Sequence, residues 1–369
     1  MVNDMTTRGA PGIRGRLGEL CYSSGLLHSL QRVRAWWQRD LRILAYHRVM
    51  PLPDPDTYEF DLELISTPPA EFREQMLRIK RYFRPMRLTD IVAALDAGEA
   101  LPPDTVAVTF DDGYDDNYRI AAPILDEVGV PATFFVSTGH IDSGRPYAYD
   151  WLVHMILLTR AERLVLPELG IDIALPSVRA QRRRIAGNVL LRMKWLDAFG
   201  QSAMIARLEA EWDMPSAQAR PVDCRPMTWA QAREMESAGL EFGSHGVHHR
   251  MLARLPQDEM VREIRESKAT LDRELRNPAI LMSYPVGGDR AYNDAVVDAT
   301  RNAGFQLACS YVCGTNAEPS ENRYSLYRLP VESNMGPGWF AAMLALPQLM
   351  SYPTAAHQAT GPAGQPCSP

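Results

Sequence analysis

An α/β fold built on parallel strands is the architecture the sequence predicts, on three observations. Short apolar runs at 43–46, 106–110, 132–136, 240–243, 280–284 and 305–311 are continuous rather than alternating, the pattern of strands covered on both faces. Stretches of helical periodicity separate several of them, which implies βαβ units closed into a barrel or laid out as an open doubly wound sheet. Two adjacent carboxylates, Asp111 and Asp112, stand where the second run ends. That end of a parallel strand is where such folds gather reactive groups.

Residues 1–40 read as an N-terminal helical extension. Within it Leu26, Leu30, Val33 and Trp37 recur at three- and four-residue spacing among Arg32, Arg34 and Arg39, an amphipathic helix with a basic face. Two readings stay open. The helix packs on the domain behind it, or it makes peripheral membrane contact through residues 26–37, with Trp36 and Trp37 at the interface.

Residues 41–340 carry the core pattern. Helices are expected at 69–82, where Phe72, Met76, Ile79 and Phe83 share a face, at 228–238, and at 257–275, where Met260, Ile264, Ala269 and Leu271 are the apolar positions. Between about 143 and 225 the alternation lapses. An apolar helix at 151–158 and the stripe Ile185, Val189, Met193 and Leu196 make this a helical insertion rather than a structureless loop. Its charge run Arg182 to Arg184 reads as a solvated helix face. The segment 351–369, rich in Pro, Gly, Ala and Gln, cannot build a core and is expected to be disordered.

Composition narrows the function classes. Lys plus Arg number 39 against 45 Asp plus Glu, a net charge of −6, which argues against a nucleic-acid partner. The five cysteines are too sparse and irregular for a disulfide scaffold or a zinc knuckle, so a metal here has to rest on Asp and His. Neither a transmembrane run nor an apolar signal core is seen. The expected location is therefore the cytoplasm, or the inner face of a membrane as a peripheral protein.

Two motifs carry the chemistry. Adjacent buried carboxylates are costly unless a cation or a functional proton compensates them. An N-cap would account for only one of Asp111 and Asp112, and Gly113 allows the sharp turn that follows. The second motif, Gly243-Ser-His-Gly-Val-His-His-Arg250, holds three of the eight histidines. His245 and His249, four apart, would face one side of a helical turn and bind one cation, while His248 points elsewhere. With an Asp they make a three-ligand site that leaves positions open for water.

Taken together these segments resemble the polysaccharide deacetylases, the NodB homology domain of carbohydrate esterase family four. Thr109-Phe-Asp-Asp-Gly-Tyr114 is similar to the first motif of that family, Ser244-His-Gly-Val-His-His249 to the second, and Ser283-Tyr-Pro-Val-Gly-Gly288 to the third. The resemblance spans about 41–335 and implies a deformed parallel (β/α) barrel of the polysaccharide deacetylase type, interrupted by the helical insertion. It implies Asp111 as general base, and Asp112, His245 and His249 as ligands of a divalent metal, usually zinc. Tyr114 would offer a backbone N–H to the oxyanion, and Tyr284, Pro285 and Gly287 would belong to the loop that lines the substrate groove.

The family's Leu-x-His motif near the C-terminal end has no counterpart here. Ile43-Leu-Ala-Tyr-His47 resembles instead the rearranged members in which this motif has moved to the first strand, which makes His47 the general acid. Ser283 stands where the third motif usually has an Arg that orients the base, with Arg290, Arg48 and Arg328 as candidate substitutes. Gly246 replaces the usual Ser or Thr. At the start of the insertion, Tyr149, Asp150 and Trp151 form either a sugar-stacking wall or a packed helix start, and Cys309 and Cys313 read as buried thiols. The implied activity is removal of N-acetyl groups from an amino sugar of a polysaccharide, an oligosaccharide or a lipid-linked saccharide. The alternatives are a catalytically degenerate carbohydrate-binding protein and an amidohydrolase acting on a small non-sugar amide.

Overall fold

A computed structural model describes residues 13–23, 26–217, 224–288 and 290–351 of the chain. The expected tail beyond Ser351 and the first twelve residues of the extension lie outside them.

Seven parallel strands form the barrel: Arg42–Tyr46, Thr105–Phe110, Thr133–Val136, Glu241–Ser244, Leu281–Ser283, Leu307–Cys313 and Leu326–Pro330. Each pairs with the next in chain order, and the first closes the ring by pairing with both the second and the last. The two-residue strand Arg84–Pro85 pairs with the second strand outside the ring. The closed barrel thus replaces the open-sheet alternative. Every residue of the first two strands is buried, which is why both read as unbroken apolar runs.

Six of the seven strands fall where the apolar runs place them, within a few residues. The seventh, Leu326–Pro330, gives no such signal because Tyr327 is exposed and Arg328 interrupts the apolar positions. Its absence from the sequence-level expectation matters, since it closes the barrel and carries a site residue.

The insertion builds a core of its own around helices Ala148–Leu158, Arg179–Met193 and Ala198–Glu211. It also holds an antiparallel hairpin, Arg163–Leu166 with Ile171–Ala174, that periodicity did not reveal. Trp151 is packed inside this core, so at that position the start of the insertion is a packed helix and not a wall. The solvated face expected at Arg182 to Arg184 holds at the exposed Arg184 and is corrected at the other two. Arg182 donates to the carbonyls of Pro176, Ile156 and Thr159, and Arg183 to those of Phe60 and Tyr58. Arg182 thus satisfies carbonyls within the insertion, and Arg183 ties the insertion to the barrel loop that carries Tyr58 and Phe60.

In the extension, helices Ile13–Ser23 and Leu26–Trp37 pack on the helix Pro337–Ala345, which is apolar all round and buried between them and the barrel. The first extension helix crosses it at a pair of glycines. A Cβ added to Gly338 would lie 2.7 Å from the Glu19 backbone N and 2.6 Å from its Cα. Glu19 also accepts the Gly338 N–H at 2.8 Å, compensating the start of that helix. Gly338→Ala is therefore expected to push the extension off its seat and cost about 1–3 kcal/mol. A lowered midpoint in thermal unfolding, with earlier proteolytic cleavage before residue 40, would show this, and an unchanged melt would count against the packing described.

Candidate active site

The second barrel strand delivers Asp111 and Asp112 to the C-terminal rim, where the backbone separates them. Asp112 adopts φ 76° and Gly113 φ 87°, so the chain reverses and the two carboxylates point to different partners. A side chain at Gly113 would be strained at that φ, and its Cβ would lie 2.8 Å from a Val136 methyl carbon.

Asp111 is gripped by Arg328. The guanidinium donates to both carboxylate oxygens, at 2.8 and 2.6 Å, and both side chains are buried. Arg328 also donates to Ser310 O and to the hydroxyls of Thr109 and Ser283. It reaches from the seventh strand to the ends of three others. Burial, the largest single influence, pushes the Asp111 carboxyl up, but the Arg328 charge, the neighbouring His245 and the Arg328 hydrogen bonds together outweigh it and hold the group below its ordinary value. Of the three arginines considered from sequence, this one replaces the usual third-motif Arg. Arg48 pairs instead with Asp116 at 2.8 Å, and Arg290 lies over the Trp195 ring. Ser283, where the family has Arg, leaves room for a guanidinium arriving from another strand. Replacing Arg328 with Met should strand a buried carboxylate at a cost of about 3–5 kcal/mol. Burial would then dominate, so the Asp111 pKa should rise. Any reaction that needs Asp111 ionised should show its acidic limb moved to higher pH, and a pH–rate profile with an unmoved limb would refute the pairing.

Asp112 faces the imidazoles. Its Oδ1 lies 3.6 Å from His245 Nε2 and 3.3 Å from His249 Nε2, and this buried oxygen has no hydrogen-bond partner among the described residues. Donor atoms of a tetrahedral divalent site stand about 3.3 Å apart, so the three residues fit a metal ion. The Nδ1–H of His245 is directed at Ser283 O, 2.8 Å away, which fixes the tautomer that turns the Nε2 lone pair toward Asp112. Burial pushes the His245 pKa down to about 4, against the opposing pull of Asp111, so the ring is neutral as a ligand must be.

The two histidines do not share a helical turn, however. Residues 245–250 form a loop, and it is positive φ at Gly246 (75°) and His249 (54°) that folds both rings inward. That φ also accounts for glycine at 246. His248 turns away and hydrogen-bonds Glu263 at 2.6 Å.

A layer of tyrosines stands behind the cluster, in a role that no spacing or motif signals. Tyr149 donates to Asp112 Oδ2 at 3.1 Å, Tyr147 to the Asp112 carbonyl at 2.5 Å, and Tyr114 to the buried Asp150 at 2.6 Å. Tyr147, Tyr149 and Asp150 open the insertion, so this added unit orients a carboxylate of the barrel. With Oδ2 held by Tyr149, Oδ1 is the oxygen left for a cation. Tyr149→Phe is expected to weaken metal affinity by about 10–100-fold while leaving the fold intact. Competition against a chromogenic chelator measures this, and wild-type affinity in the variant would exclude the role.

His47 follows the first strand onto the same rim. Its ring centroid is 5.5 Å from that of Tyr311, and a positive charge on it is felt by both Asp111 and Asp112. Pro285 and Gly287 sit in the loop after the fifth strand. Gly287 has φ 58°, and a Cβ there would lie 2.5 Å from Tyr311 N, a close approach that requires glycine. Tyr284 does not line a groove. Its side chain is fully buried and its hydroxyl is bound to Tyr324 O at 2.8 Å. Tyr114, likewise fully buried, keeps its backbone beside Asp112 and its ring under the Arg48 guanidinium.

A parallel barrel with an Asp–His–His cluster at its C-terminal rim, beside a carboxylate held by arginine, defines a class of (β/α) barrels whose rim could hold a divalent metal. The sequence profile of the polysaccharide deacetylase family matches residues 98–308, more than half of the chain, and the chain belongs to that family. YxkH of Bacillus subtilis (strain 168), which bears a polysaccharide deacetylase name, is 28% identical over 118 residues. That match covers 32% of this chain, and the chain spans only 41% of the length of that relative. Among solved structures, the Streptococcus pyogenes deacetylase PplD in complex with acetate aligns with a TM-score of 0.55 at 21% identity, over 85% of this chain and 100% of that one. IcaB from Ammonifex degensii aligns with a TM-score of 0.52 at 18% identity, over 84% of this chain and 97% of that one. At these identities the shared feature is the barrel.

Proposed function

We propose that this protein is a metal-dependent hydrolase that removes N-acetyl groups from an amino sugar in a glycan, with zinc as the metal. The observation that carries the reading is the division of labour between two adjacent carboxylates. Asp111 is held ionised by Arg328, and Asp112 presents an unpartnered oxygen to His245 and His249. One carboxylate is set up to accept a proton and the other to bind a cation.

An amide is a poor electrophile, so its hydrolysis needs an activated water, a polarised carbonyl and a proton for the departing amine. A divalent ion held by Asp112, His245 and His249 would supply Lewis-acid polarisation at this point of the rim. Asp111 takes the proton of the attacking water on a lone pair not engaged by Arg328. The Tyr114 backbone N–H faces the oxygen on which negative charge develops. His47, on the neighbouring strand end, gives a proton to the leaving nitrogen. Arg328 takes the place of the missing third-motif arginine, which removes the main reason for a catalytically degenerate reading. Family membership favours the glycan over a small amide, and the proposed substrate is an acetyl-bearing sugar of a polysaccharide, an oligosaccharide or a lipid-linked saccharide.

Chelator-stripped protein should lose acetate release from N-acetylglucosamine oligomers and regain it with zinc. Full turnover in protein shown to be metal-free would defeat the proposal. His47→Gln should lower turnover by about 10²–10⁴-fold, the usual contribution of a general acid, with metal content unchanged by elemental analysis. Joint loss of metal and activity would remove His47 from the acid role.

A further inference from the structure

We infer that the second extension helix, Leu26–Trp37, is a docking face for an anionic lipid bilayer, lying at the end of the barrel opposite the site. Its orientation carries the inference. The residues it turns inward include Leu27, Gln31 and Arg34, all buried. Gln31 donates to Tyr82 O at 2.7 Å, and Arg34 forms two hydrogen bonds with Asp40. Outward, beside Ser29 and Arg32, it turns a group of apolar residues. Trp36 is 82% exposed, Trp37 81% and Val33 54%, with Leu30 half-buried beside them. Two polar side chains of the helix are spent on the protein while two tryptophans and a valine face solvent, more apolar surface than a helix that merely packs would leave exposed. Leu17, Leu20 and Tyr22 on the first extension helix and Leu349 add exposed apolar surface in the same layer of helices.

Charge selects the occupant. Arg32 and Arg39 are exposed on this segment, and Arg81 and Arg84 are exposed around the Tyr82 carbonyl to which Gln31 docks. Among residues 13–40 the only carboxylates are Glu19 and Asp40. Both are turned into the protein, Glu19 onto Gly338 N and Asp40 onto Arg34 and Arg42. The patch is therefore apolar with a basic rim on a chain whose net charge is −6. Two such rims would repel each other across a dimer, whereas anionic headgroups complement them and tryptophan rings favour the headgroup boundary. Trp37 lies five residues ahead of Arg42, where the first barrel strand begins, and His47 follows the other end of that strand. The catalytic rim consequently points away from the docked face.

The full chain should co-sediment with phosphatidylcholine vesicles containing about 30% phosphatidylglycerol, bind weakly to phosphatidylcholine alone, and lose binding as salt rises. The double variant Trp36→Ala/Trp37→Ala should bind the anionic vesicles at least about tenfold more weakly, with the melting curve and acetate release of the parent. Trp37→Glu provides a second variant that should do the same. Equal vesicle binding by parent and folded variants overturns the inference. So does a parent that ignores vesicles, or one that uses these tryptophans only to form dimers dissociated by the variants.

Discussion

The Asp111–Arg328 pair is the interaction on which the rest of the site depends. Two carboxylates on consecutive residues, both removed from water, repel each other and are each expensive to desolvate. The fold meets this by giving Asp111 a counter-charge and turning Asp112 toward two imidazoles that could hold a cation with it. Arg328 reaches Asp111 from the strand that closes the ring, and its remaining donors engage Thr109, Ser283 and Ser310 from three further strands. A buried ion pair repays its desolvation only when geometry and spare hydrogen bonds are this complete. Closure of the barrel and ionisation of Asp111 are accordingly one structural fact: the last strand must be in place before Asp111 has its partner.

The insertion takes part in the same arrangement. It has its own core, yet its first helix sends Tyr149 and Tyr147 to the side chain and the carbonyl of Asp112. A unit with a separate core thus supplies the hydrogen bonds that orient a barrel residue. Arg183 fastens it by binding the carbonyls of Phe60 and Tyr58, so the tyrosines are held from two directions.

Much of this was legible in the sequence, for reasons that differ from residue to residue. The strands buried on both faces read as apolar runs, and the Asp pair and the His pair stood out because their residue types are costly without a function. The same costliness was uninformative for Arg328. Lone arginines are common, and only the closed ring shows this one to be inside. The histidine pair was found on a wrong geometric premise, since a loop with two left-handed residues does what a helical turn was expected to do. Tyr149 was noticed as an aromatic near the site, but a hydrogen bond between an insertion and a distant strand leaves no periodic trace. Tyr284 erred in the opposite direction: motif position suggested a groove, whereas burial assigns it to the core.

The left-handed backbone at Asp112 and His249 has a consequence for which metals the site can be adapted to hold. That region of conformational space penalises side chains with a Cβ, and it is Asn, Asp and His that enter it most readily among residues other than glycine. Two of the three donors therefore sit where the main chain, before any metal is present, restricts the choice to short polar side chains able to pair locally. Exchanging them for Glu or Cys to favour a harder or a softer ion would first strain the turns that bring the donors together. The donor set is thus limited by peptide conformation as well as by coordination chemistry, and retuning toward another metal is easier at His245, which adopts no positive φ, or in the tyrosine layer behind Asp112.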